Sequence, residues 1–142
     1  MRVLSFVAAG ELYAADIECV QAVMRRLEPT PVRAADSTIA GIVNIRGKVV
    51  TLLDMDALLG RACREQPGAV SDAVVFKDIT ESGDQMGLLI SAACEIVDPG
   101  SVQPLPPEAE LAGGGIIGGI AEHGSKLYRI LDIRAIIARF TS

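Results

Sequence analysis

A mainly β fold is predicted: two small barrels of about five short strands each, intertwined or abutting, with a short helix after the first and a C-terminal helix over one open end. Three observations carry this. The order strand, turn, strand, strand, proline-rich connector, strand, turn, strand, short helix occurs twice within 142 residues. The stretch Gly41–Met55 (GIVNIRGKVVTLLDM) lies without a gap on Gly119–Ile133 (GIAEHGSKLYRILDI), matching Gly on Gly, Ile on Ile, Lys on Lys and Leu-Asp on Leu-Asp. No helix of ordinary length separates successive strands, which disfavours a doubly wound α/β arrangement.

Val3–Ala8 reads as a strand, and Gly10-Glu11 as a tight turn into Leu12–Ala15, the two strands making a hairpin. Val20–Met24 is the third strand. Pro29-Thr30-Pro31 then ends any regular element, because each proline lacks a donor and restricts the residue before it. Asp36-Ser37 supplies turn or cap chemistry before Ile39. Ile42 and Val43 lead into the polar turn Asn44–Lys48, and Val49–Leu53 reads as a fully buried strand. Asp54 is a natural N-cap for a short helix with Met55, Leu58 and Leu59 on one face. Arg61–Ser71, charged and carrying Pro67-Gly68, is the surface connection. A single domain over 1–142 with internal halves of about 1–62 and 72–142 follows.

The second half repeats the first. Ala73–Phe76 is a strand, Glu81–Asp84 a turn, Met86–Ile90 and Cys94–Val97 strands. Pro99, Pro104, Pro106 and Pro107 renew the proline break, and Gly113–Gly115 is a spacer before the second copy of the central unit. Asp132 caps a C-terminal helix that places Ile133, Ile136, Ile137 and Phe140 on one face.

Half of the residues are hydrophobic, yet aromatics are 4% and Trp is absent, so the core is aliphatic. A net charge of −5 with so few rings excludes an oligonucleotide-binding barrel, which needs a basic groove and stacking aromatics. Cys19, Cys63 and Cys94 are odd in number and widely spaced, which is neither a disulfide framework nor a zinc site and fits a reducing cytosol. Met1-Arg2 before Val3–Ala9 imitates a signal peptide, but the run is short, has one basic residue ahead of it and is interrupted by Ser5; it is read as the first strand. No apolar run approaches the ~18 residues of a membrane span, and a soluble protein is expected.

Tyr13-Ala-Ala-Asp16 with Ile17, Val20 and Val23, then Thr30-Pro31-Val32, then Ile39-x-Gly41-Ile-Val-Asn44-Ile-Arg46-Gly47-x-Val-Val-x-Leu-Leu-Asp54 resemble, in that order, the CheW-like domain. Gly87-Leu-Leu-Ile90, Glu95-Ile-Val97, Ile117-x-Gly119-Ile-Ala and Ile130-Leu-Asp132 extend the resemblance over nearly the whole chain. It implies two SH3-like five-stranded barrels and a non-catalytic role that needs no cofactor. Members couple transmembrane chemoreceptors to a histidine autokinase within bacterial chemosensory arrays. The implied partners are a histidine kinase of the CheA type, through its homologous regulatory domain, and the cytoplasmic tip of a chemoreceptor. Neither nucleic acid nor direct membrane insertion is implied; the expected location is the cytoplasm, with recruitment to membrane receptor arrays. Ending at Ser142 with no room for a kinase or receiver domain, the chain resembles the stand-alone adaptor.

Carried over by position, Asn44, Arg46 and Gly47 match the family's turn at the receptor and kinase junction, and Val20 matches a position associated with kinase contact. Three positions depart from the family pattern. Ala22 stands where a Glu often pairs with the turn arginine, Thr51 replaces the usual Pro, and Asp54-Met55-Asp56 replaces Asp-Leu-Arg. Arg46 thereby loses one internal counter-ion; Glu18 and Asp54 are the alternatives within the chain. Asp54 and Asp132 could be paired acid–base carboxylates, but each precedes a helical pattern and is assigned as a cap.

The rival reading is a small ligand-binding barrel or enzyme with a site near His123, the only histidine, using Cys94 or Cys19 as nucleophile. His123 lies in an expected turn, which makes it a surface residue. The glycine-rich Gly113–Gly119 lacks the Lys-Ser/Thr of a phosphate loop. Ile116 and Ile117, set among glycines, are candidates either for core or for an exposed docking patch.

Overall fold

The computed structural model describes residues 1–32, 38–61, 69–78, 85–106 and 115–141, the side chains of 140 and 141 excepted. The expected turns at Asp36-Ser37 and Glu81–Asp84, most of the Arg61–Ser71 connection, Cys63, Pro107, Gly113, Gly114 and the Phe140 side chain lie outside these residues.

Alternating apolar and polar residues, punctuated by glycine turns, give strands β1 Val3–Ala8, β2 Glu11–Asp16, β3 Val20–Leu27, β4 Ile39–Ile45 and β5 Lys48–Leu53 in the first half. The second half supplies β6 Ser71–Phe76, β7 Gln85–Ile90, β8 Ala92–Val97, β9 Ile117–His123 and β10 Lys126–Leu131. Helix α1 is Met55–Leu58, α2 is Ile133–Thr141, and Ile17–Cys19 forms a 3₁₀ turn. Both expected caps form: Asp54 accepts a hydrogen bond from the Ala57 amide at 3.3 Å, and Asp132 one from the Ala135 amide at 3.0 Å. Each satisfies a donor that the first helical turn leaves without an intrahelical acceptor.

The strands form two five-stranded sheets, ordered β8-β1-β2-β10-β9 and β3-β6-β7-β5-β4. Exchanging every strand for its counterpart in the other half, β1 for β6 through β5 for β10, converts one order into the other. The pair orientations follow: β2 with β10 and β7 with β5 are parallel, and the remaining neighbours are antiparallel. Of the two arrangements left open by the sequence, the halves are therefore intertwined. Each sheet takes two strands from one half and three from the other, so the chain's midpoint does not separate one sheet from the other.

Each sheet curls into an open, SH3-like barrel. The chain leaving β3 returns to β4 through an isolated bridge, Thr30 with Ile42, whose two backbone hydrogen bonds measure 2.8 and 3.0 Å. The chain leaving β8 does the same to β9 through Gln103 and Ile120, both bonds at 2.8 Å. This explains the matched glycines. A Cβ on Gly41 would come within 2.8 Å of the Thr30 carbonyl oxygen, and one on Gly119 within 2.8 Å of the Gln103 carbonyl oxygen.

Three apolar clusters result. Val3, Ala14, Ala121, Tyr128 and Ile130 fill one barrel, and Val50, Leu52, Ala73, Val75 and Leu89 the other. A shared core between them joins Phe6 and Tyr13 to Phe76, Leu88 and both helices, including Leu58, Ile133, Ile136 and Ile137. Ile116 is fully buried in this core and Ile117 packs against it, so the glycine-flanked pair is core. Val49 corrects the expectation of a wholly buried β5. It is 58% exposed because β5 begins on the projecting end of a hairpin, and burial starts only at Val50. Ser5, which interrupts the apolar run of β1, is buried. Its hydroxyl donates to the Glu95 carbonyl oxygen at 2.8 Å and accepts from the Glu95 amide at 3.0 Å, filling a register shift between β1 and β8.

Candidate partner-binding site

Strands β4 and β5 meet in a two-residue turn, with Ile45 opposite Lys48 and Arg46-Gly47 between them. Both turn residues are left-handed, with φ of 53° at Arg46 and 84° at Gly47. This is the hairpin connection whose twist matches that of its strands. Asn44 Oδ1 accepts from the Gly47 amide at 3.0 Å and so pins the turn from inside. Gly47 suits its φ; Arg46 does not, since a side chain in the left-handed region costs roughly 1–2 kcal/mol.

The counterpart hairpin between β9 and β10 offers a comparison. There His123 pairs with Lys126 across Gly124-Ser125, and only Gly124, at φ 64°, has a positive φ. The same architectural turn is thus built once with a relaxed Gly-Ser and once with a strained arginine.

Arg46 is exposed and, among the described residues, makes no ion pair. Neither expected internal counter-ion reaches it: Asp54 is buried as the α1 cap, and Glu18 stands exposed beyond β2. It lines a cleft of about 470 Å³ with Lys48 and Ile45 of the same hairpin, Gln21, Ala22 and Met24 of β3, Val75 of β6, Gln85 of β7 and the acidic Asp78. Ala22 and Arg46 therefore border one space, and the side chain that a glutamate would occupy is replaced by room. Arg46 and Lys48 set two cations against the one carboxylate of Asp78 in this lining, and the planar guanidinium fork of Arg46 can bind a partner's carboxylate bidentately.

Three of the four expected site residues come together. Asn44 shapes the turn, Gly47 permits it and Arg46 projects from it. Val20 sits elsewhere: it opens β3 opposite Phe76, is half-buried and packs against the shared core, away from the cleft lining. Gln21, Met24, Lys48 and Gln85 join the cleft without having been singled out by the sequence. Lys48 could have been found by its place beside the turn. Gln85 lies on β7, the parallel neighbour of β5 from the other half, and Gln21 and Met24 lie on β3, at the opposite edge of the same sheet from β4.

His123 ends β9 exposed, and its side chain has no hydrogen bond or ion pair among the described residues. An imidazole that no described residue orients has no arrangement there for activating a thiol. Burial, followed by the neighbouring Asp16 carboxylate, pushes the Cys19 thiol above its ordinary value, which opposes the thiolate a nucleophile requires. Among the described residues no group of three metal-ligating side chains gathers, and no helix is long and apolar enough to cross a membrane.

The CheW-like domain family matches residues 2–140 of the chain. The crystal structure of the scaffolding protein TtCheW from Thermoanaerobacter tengcongensis is similar at 27% identity with a TM-score of 0.76, covering 92% of this chain and 88% of that one. No curated protein matches the chain.

Proposed function

The chain belongs to the CheW-like domain family, and we propose that it is a non-catalytic adaptor joining chemoreceptors to a histidine autokinase in a bacterial chemosensory array. Its partners are the cytoplasmic tip of a receptor and the homologous two-barrel regulatory domain of a CheA-type kinase, met in the cytoplasm beneath the membrane. The similarity to a scaffolding protein supports the class of function. The observation that carries the site is Arg46. A hairpin that its own counterpart closes with Gly-Ser here holds an arginine at φ 53°, without an ion pair among the described residues and rimming a cleft. The β1–β2 turn at Ala9-Gly10 has the same left-handed pair, at φ 52° and 77°, so what sets Arg46 apart is the charged side chain at the cleft and not the backbone strain.

The turn and its cleft take a carboxylate-bearing segment of the partner, with Arg46 as the anchor and Asn44 and Gly47 as its mount. Val20, half-buried at the start of β3, takes part in kinase contact through its exposed part. The test is co-sedimentation of Arg46→Glu with receptor-bearing membranes and kinase, alongside a melting curve. Assembly is expected to weaken at least tenfold, about 1.4 kcal/mol, with the fold intact. Arg46→Gly is expected to weaken assembly too while melting no lower than the parent, because the left-handed strain is relieved. Undiminished assembly by either folded variant removes Arg46 from the site.

A further inference from the structure

Neither half of this chain contains a complete sheet. Within the first half β1 pairs with β2 and β4 with β5, but among the described residues the strand beside β3 is β6, from the second half. Within the second half β6 pairs with β7 and β9 with β10, while among the described residues the strand beside β8 is β1. Four pairings, β1 with β8, β2 with β10, β3 with β6 and β5 with β7, cross between halves. The shared core crosses as well, setting Phe6, Tyr13 and Leu53 against Phe76, Leu88 and Ile136. Against these contacts, the covalent link between the halves is a single passage of chain between Arg61 and Ala69.

A half recognises its complement through the same backbone ladders and apolar faces whether the two share a chain or not. We propose that this protein exchanges halves with a second copy of itself, β1–β5 and α1 of each copy being completed by β6–β10 and α2 of the other. Such an exchange preserves every strand pairing given above, the circumstance in which domain swapping costs least. The product carries two whole two-barrel units and two Arg46 turns. It is a bivalent form of the same surface, although the exchange itself does not depend on what that surface binds. A short tether holds the chain's own complement at roughly millimolar effective concentration. Dilute chains therefore close on themselves, and exchange appears when chains fold in a crowd.

A disulfide across two halves reports the exchange directly. Leu27 and Ser71 are register partners on β3 and β6, so Leu27→Cys with Ser71→Cys, in a chain also carrying Cys19→Ser, Cys63→Ser and Cys94→Ser, crosslinks one half to the other. The full-length variant is unfolded in denaturant, refolded at about 1 mM and at about 1 µM, oxidised and run on a non-reducing denaturing gel. Exchange predicts a covalent dimer comparable in amount to monomer at the higher concentration, with a dimer-to-monomer ratio about a thousandfold lower at the other. Folded chains concentrated and oxidised without prior unfolding are expected to stay monomeric, because exchange requires all four crossing pairings to open. A covalent band of monomer mass alone after concentrated refolding overturns the proposal, since a dimer made by surface contact would keep each crosslink within one chain. Equal dimer from chains never unfolded overturns it too. Val7→Cys with Ala92→Cys, register partners on β1 and β8, repeats the measurement in the other sheet should the first pair impair folding.

Discussion

Gly118 and Gly119 are adjacent in β9, and alanine at each is expected to act in opposite directions. A Cβ on Gly118 would meet its nearest neighbour, Asp132 Cβ, at 3.5 Å, an ordinary contact. A Cβ on Gly119 would meet Val102 Cγ1 at 2.6 Å and the Gln103 carbonyl oxygen at 2.8 Å. Val102 is an exposed side chain and can turn away; the carbonyl is backbone and cannot move alone. Displacing it lengthens both hydrogen bonds of the Gln103–Ile120 bridge, now 2.8 Å each. At about 1 kcal/mol per backbone bond the loss is about 2 kcal/mol. For a chain of this length that lowers the melting temperature by about 8 °C. Gly118→Ala, by contrast, is expected to be neutral or to gain a few tenths of a kcal/mol, through a less flexible unfolded chain. Differential scanning calorimetry on the two variants decides the matter. Gly119→Ala melting with the parent, or Gly118→Ala falling as far, would refute the reasoning that the bridge is what requires glycine.

Other outcomes follow from single side chains. Ser5→Ala leaves the Glu95 amide and carbonyl without the hydroxyl that bridges them, and is expected to cost about 1–2 kcal/mol in urea unfolding; an unchanged midpoint would mean water takes over. Ile136, fully buried in the shared core, is expected to tolerate Asp only at a loss of several kcal/mol, and an unaltered thermal transition would show that α2 is not docked. Burial, then the hydrogen bond to Glu11, raises the Tyr13 phenol above its ordinary value of 10.0. The fold thus favours the protonated form, a contribution complete below about pH 10 and lost as pH rises above it. Urea stability in that alkaline window is expected to fall less steeply for Tyr13→Phe than for the parent, and equal slopes would contradict the assignment.

Local chemistry made much of this fold legible. Glycine turns, strand alternation and the two aspartate caps are signals carried within a few residues, and the elements they mark appear where expected. The echo of Gly41–Met55 in Gly119–Ile133 is one structural unit used twice, down to the glycine beneath a crossing backbone. Partner choice was not legible. Nothing in Val20–Leu27 distinguishes β6 as its neighbour, because an apolar strand face fits any complementary face and the selection is made by the whole fold. For the same reason Met24 and Gln85 could not be assigned to the cleft, and Val20 could be placed on a strand but not on the core side of it. Val49 was misjudged because hydrophobicity reports a preference for burial, not the geometry of a hairpin tip. The turn at Arg46 was readable from Asn-x-Arg-Gly, whereas its strain required the backbone angle.

Ser5 and Glu95 exchange two hydrogen bonds across 90 residues of sequence, and β2 waits for β10, the last strand of the chain. A ribosome making this protein releases every strand of the β3-β6-β7-β5-β4 sheet by Ile90, whereas the β8-β1-β2-β10-β9 sheet waits for Leu131. The emerging N-terminal half holds only hairpins, which are marginal alone in water, and a strand with nothing beside it. The first hairpin, β1 with β2, is thus made first and completed last, a slow step because its pairing is long-range. A product truncated before β10 can at most complete the sheet that carries Arg46, without the barrel that should stand beside it.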